Sequence, residues 1–96
     1  MATKATLNIR LVGDFQPDRP SHRATVEALQ HAAEYLEATI DAKWVPTRSL
    51  QSAGWEKLLD GTDGLWLAPG APYESQVGAH RSIGFAREHN VPFFGT

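Results

Sequence analysis

Short apolar runs alternate with longer segments of helical period along this chain, and that alternation restricts the fold more than any other feature. Val26, Leu29, Ala33, Leu36 and Ile40 fall three and four residues apart, the spacing that aligns one face of a helix. Glu27, Gln30, His31, Glu34 and Glu37 fall mostly off that stripe. The pattern predicts an amphipathic helix over 22–40, with Ser21 at the N-cap position. Upstream, 5–12 alternates apolar and polar and then turns apolar, which predicts a strand with Leu7, Ile9 and Leu11 on one face and Gly13 at its end. Residues 14–20 hold two prolines and read as a loop.

The remainder repeats the alternation. Residues 42–46 predict a short second strand that Pro46 closes. Residues 52–59 predict a helical turn or two, with Trp55, Leu58 and Leu59 facing inward. Residues 65–68 predict a third strand. A second long helix is expected over 75–89, with Val77, Ile83 and Ala86 toward the core, Gly78 and Gly84 weakening it, and Asn90 stopping it. Residues 91–95 predict a fourth strand. Strands separated by helical segments specify a parallel sheet in an α/β domain. Right-handed crossovers then place helices on both faces.

Bulk properties exclude several function classes. Ninety-six residues form one small domain, 1–96. Nine basic and 11 acidic residues give a net charge of −2, without the basic footprint of a nucleic-acid binder. No basic amphipathic helix, long apolar run or signal-peptide core points to a membrane. The expected compartment is the cytoplasm. The absence of cysteine rules out disulfides, thiolate metal sites and a cysteine nucleophile within these residues. His31, His80 and His89 lack metal-ligand spacing and read as surface residues, so no metal is expected. The carboxylates show no acid/base pair, and Glu74 reads as a cap for the following helix. Neither a dinucleotide fingerprint nor a phosphate loop is present, and no cofactor is expected.

The candidate site is the stretch Asp63-Gly64-Leu65-Trp66-Leu67-Ala68-Pro69-Gly70-Ala71-Pro72-Tyr73. Its apolar run stops at a Pro-Gly-Ala-Pro corner, and ligands of open parallel sheets bind just beyond the carboxyl ends of strands. Gly70 there can bring its N–H to a ligand or to developing negative charge. A simple turn glycine explains the spacing as well. Ser21 and His22 open a helix, where anions are favoured, or serve as a capping serine and a solvated histidine.

Three blocks carry a resemblance. They are Val12-Gly13-Asp14-Phe15 leading into 21–29, then 63–73, and finally 83–96. In this order they resemble the class I glutamine amidotransferase domain of CTP synthase, and more closely the short stand-alone proteins related to the CTP synthase C-terminal region. The resemblance implies a flavodoxin-like sheet with flanking helices, incomplete within 96 residues, and glutamine hydrolysis to glutamate and ammonia as the family activity. It places an oxyanion-hole N–H on Gly70, with Ala71 beside it where a second glycine is common. It also implies a nucleophile directly after Thr96, as cysteine or selenocysteine, which the codon that follows Thr96 decides. The chain as given is therefore expected to be catalytically inactive. The second reading is a non-catalytic binding or assembly module that forms a homo-oligomer through an exposed edge or swapped elements.

Overall fold

Four parallel strands pair in the order β2-β1-β3-β4: β1 is Thr6–Val12, β2 Thr39–Val45, β3 Gly64–Leu67 and β4 Phe93–Gly95. The structure is a computed structural model and describes residues 6–16, 18–68 and 73–95. The corner at 69–72, with Gly70 and Ala71, and Thr96 lie outside the described residues. Helix α1, Pro20–Leu36, joins β1 to β2, and α2, Gln76–His89, joins β3 to β4. The β2–β3 crossover consists of two short 3₁₀ helices, Thr47–Gln51 and Trp55–Leu58. The parallel α/β expectation therefore holds.

The two faces of the sheet are filled differently. Val12, Val45 and Leu65 form one core with Leu50 and Leu59 of the crossover and Phe85 and Ala86 of α2. Trp44 precedes Val45 in β2 and so points to the opposite face. There its ring meets His22 of α1, with centroids 5.0 Å apart. So α1 covers one face, and α2 with the crossover covers the other. Among the described residues no helix is long and apolar enough to cross a membrane.

Several boundaries depart from the sequence pattern for identifiable reasons. The first helix starts at Pro20 rather than at 22, with Arg19 as an N-cap that makes no side-chain capping bond. Proline suits the first helical position because its φ is preset and its missing N–H would have no partner there. Ser21 thus sits inside the first turn, and its carbonyl accepts the Thr25 hydroxyl at 2.9 Å. The helix ends at Leu36, where Glu37 turns left-handed at φ 51. Ile40, in step with the stripe by coincidence, belongs to β2, which starts at Thr39 rather than Ala42. Leu58 and Val77, expected inside, are 45% and 53% exposed. The fourth strand is shorter than expected, Phe93–Gly95. Asn90 does stop α2, left-handed at φ 57.

Glycine in α2 has two different roles. A Cβ on Gly78 would collide with the carbonyl oxygen of Thr47, whereas a Cβ on Gly84 would meet nothing within 4 Å. Close approach of α2 to the first 3₁₀ helix therefore requires Gly78, and Gly84 costs only helix propensity. Gly84→Ala is expected to raise stability by about 0.5–1 kcal/mol. Gly78→Ala is expected to lower it by about 1–3 kcal/mol despite the same gain in propensity. Urea unfolding of the two variants should give opposite signs; a stabilised Gly78→Ala would contradict the packing.

Candidate functional site

Strand order reverses at β1: the chain leaves it for β2 on one side and returns past it to β3 on the other. Such a switch point leaves a crevice between the segments following the two strands, and ligands of open α/β sheets bind there. The segments following β1 and β3 border it. Both strand ends are extended by ladder-like bonds, Gly13 N–H to Val45 O and Ala68 N–H to Val12 O, each 3.0 Å.

Asp14 stands at the head of the β1 segment, and its carboxylate ties three strand ends together. Its Oδ1 accepts the Thr47 N–H and lies 3.0 Å from the Thr47 hydroxyl as well. Its Oδ2 lies 2.9 Å from that hydroxyl and accepts the backbone N–H of Glu74 at 2.9 Å. The Thr47 hydroxyl in turn accepts the Ser75 N–H at 2.9 Å. Ser75 Oγ accepts the Gly78 N–H at 3.0 Å and so caps α2. The inner end of this chain of bonds is shielded, with Thr47 fully buried and Ser75 nearly so, while Asp14 is half-buried and Glu74 exposed. A carboxylate accepting several N–H and O–H groups makes strong, charge-assisted bonds.

A second tie closes the base of the corner. The Tyr73 hydroxyl donates to the carbonyl of Ala68 at 2.9 Å. Burial, and secondarily the negative charge of Asp14, push the Tyr73 phenol above its ordinary value of 10.0. The described residues on either side of this stretch are thus tied: Ala68 to Val12 of β1 and to the Tyr73 hydroxyl, Glu74 to Asp14, and Ser75 to Thr47. With both oxygens of Asp14 committed to donors, its chemical capacity is to position Thr47 and the start of the α2 segment at Glu74.

The other sequence candidates are distributed as follows. His31, His80 and His89 are exposed, as expected. His22 is not solvated: it is 1% exposed, its Nδ1 accepts the Gln16 N–H at 3.1 Å, and Phe15 stacks on it. The cap expected from Glu74 comes from Ser75, and Glu74 contributes its backbone N–H instead. Among the described residues no group of three or more His, Cys, Asp or Glu could hold a metal ion. Asp14 and Thr47 were missed as site residues; the available signal was a small polar residue following each of two predicted strands, after Gly13 and after Pro46.

No family model matches the chain. It is 32% identical over 95 residues to the CTP synthase of Saccharolobus solfataricus, covering 97% of this chain and 18% of that one. It is 34% identical over 92 residues to the CTP synthase of Phytoplasma australiense, covering 96% and 17%. By sequence, this chain is a relative of CTP synthase. Its fold matches the solved glutaminase domain of Trypanosoma brucei CTP synthase, which has acivicin bound, with a TM-score of 0.74 and 24% identity over 93% of this chain and 35% of that one. The flavodoxin-like expectation is thereby met. The chain spans less than a fifth of the length of the curated CTP synthases it matches.

Two variants test the ties in this CTP synthase relative. Asp14→Ala strands the Thr47 and Glu74 N–H groups and is expected to cost about 2–4 kcal/mol in urea unfolding. Tyr73→Phe is expected to cost about 0.5–1.5 kcal/mol at neutral pH. The Tyr73 pKa is raised on folding, so the folded state holds the proton more tightly than the unfolded chain. That contribution is complete below pH 10.0 and is lost as pH rises through the higher folded value. Between pH 9 and 11 or so, the wild type should therefore lose more stability than Tyr73→Phe. Parallel alkaline profiles would exclude the Tyr73 tie.

Proposed function

We propose that this chain forms one wall of a glutaminase site, with glutamine as substrate and the backbone N–H of Gly70 as an oxyanion-hole donor. The supporting observation is the pairing of β3 with β4. Leu67 and Gly95 are partners in register, so both strands leave the sheet side by side at the same edge. In this reading the corner follows β3 and the nucleophile follows β4, two strands that are adjacent in the sheet. A nucleophile at that second position could attack an amide carbon while N–H groups from the corner hold the oxygen of the tetrahedral intermediate. Ala71 flanks the donor, and Pro72 has no N–H to offer. The nucleophile, its base and the group orienting that base lie outside these 96 residues in this reading.

A second reading, an assembly module, has an observation of its own. Phe93 and Phe94 on the outer strand are 37% and 57% exposed. Beside them an apolar groove of about 210 Å³ is lined by Ile9, Leu29, Trp66 and both phenylalanines. Exposed strand edges with apolar neighbours recruit further strands, and the partner proposed here is a second copy of this chain.

Both readings are open to direct measurement. Glutamine, titrated to about 10 mM, is expected to shift the amide resonances of Glu74 and Ser75 while the 96-residue chain releases no ammonia. Unmoved resonances would remove the glutamine site, and ammonia release would remove the claim of catalytic incompleteness. Light scattering is expected to find a self-associated wild type and a monomeric Phe94→Asp; a monomeric wild type removes the assembly reading.

A further inference from the structure

A groove of about 410 Å³ on the α2 side of the sheet gathers three cationic side chains, Arg10, Lys43 and Lys57. Arg10 of β1 and Lys43 of β2 are partners in register. Each stands two residues before a core valine of the same face, Val12 or Val45, so both side chains leave the sheet on that face. Adjacent strands are about 4.8 Å apart, and like charges directly opposite each other destabilise a sheet. Lys57 adds a third positive charge from the second 3₁₀ helix. No carboxylate lines the groove. Among the described residues none of the three cations has an acidic partner; the side-chain hydrogen bond they make runs from Arg10 Nη1 to the carbonyl of Ile9 at 3.3 Å.

This arrangement breaks a local rule of sheet design without compensation inside the described residues, and such departures concentrate at functional sites. A bound anion would supply the compensation. The groove falls within the size range of small-molecule sites, about 300–1,000 Å³. Three cations lining one groove match a ligand of charge −2 or more better than a single carboxylate. A nucleic acid fits poorly, because the chain is net acidic at −2 and its overall field opposes a long polyanion. We infer that the groove between Arg10, Lys43 and Lys57 is a binding site for a small phosphate-bearing molecule. Ser49 lines the same groove, but its hydroxyl donates to the Pro46 carbonyl at 2.5 Å, so recognition of phosphate oxygens falls on the three cations. The site is separate from the crevice at the carboxyl ends of β1 and β3 and does not depend on glutamine chemistry.

Pyrophosphate is the probe. Titrated into the 96-residue protein at low ionic strength, it should shift the amide resonances of Arg10, Lys43, Ser49 and Lys57 saturably. Lys43→Glu should weaken binding by about tenfold or more. The same substitution should raise the melting temperature of the unliganded protein, because it places a carboxylate opposite Arg10. Opposite movements of binding and stability separate a ligand site from a merely structural cluster. Lys57→Gln, which leaves the strand pair untouched, should also weaken binding. The inference is overturned if pyrophosphate shows no saturable shift, or if both variants bind it as the wild type does. Equal affinity for citrate would overturn the phosphate assignment, and tighter binding of a short oligothymidylate would overturn the small-molecule assignment.

Discussion

The Asp14 carboxylate is the constraint on which the upper edge of the sheet depends. Parallel strands are not joined by tight hairpins, so the segments leaving them at one edge need separate ties. Here one side chain supplies them: it stands after β1, accepts two groups of Thr47 after β2, and accepts the Glu74 N–H before α2. Thr47 is fully buried, where a hydroxyl without a partner is costly. Its oxygen is satisfied from both directions, donating to Asp14 and accepting from Ser75. Gly78 is the steric counterpart of this tie, since only a residue without Cβ lets α2 approach the Thr47 carbonyl. One carboxylate and one glycine thus fix α2 against the crossover.

The two layers beneath that edge are unequal. On the α2 side, leucines, valines and Phe85 close into a core. On the α1 side the buried helix positions are His22 and Thr25, and His22, in the first turn, joins Trp44 and Phe15 in a ring cluster. The end of the α1 stripe is left outside, with Leu36 61% exposed. The apolar groove between Leu29 and β4 continues this under-covered face. Helix α1 thus packs through aromatic contacts near its N-terminal end and closes on a left-handed Glu37 with Leu36 outside.

The order of elements could be read from the chain, because period two and period 3.6 act locally and survive without tertiary information; the faces could be read only in part, since Leu58 and Val77 turn outward. The boundaries could not, because they turn on competition between neighbours. Ile40 satisfied the helical spacing, yet β pairing with Leu7 took it into β2. Ser21 had the chemistry of a cap, but Pro20 claimed the first helical position. Gly78 and Gly84 carry the same propensity cost in α2, and only the Thr47 carbonyl shows that one of them is required. The site followed the same division. The candidate corner shows in the chain as a strand running into Pro-Gly, whereas the ties of Asp14 to Thr47 and Glu74 span 33 and 60 residues, and no local pattern reports a partner at that distance.

Those distant partners nevertheless have a single cause. The β1–β2 register pairs Arg10 with Lys43 and Val12 with Val45, and Asp14 meets Thr47 at the same separation, 33 residues. The basic groove, the core valine pair and the carboxylate tie are thus successive same-face steps of one ladder. A one-residue slip would turn Val45 out of the core and separate Asp14 from Thr47 together. Burial of the valines therefore fixes the register, and the register sets both the polar tie at the strand ends and the unfavourable cation pair lower down. The first consequence serves the sheet's own edge. The second does not serve folding at all, since substituting either cation would leave the register intact, and that is the physical reason to look for a ligand there.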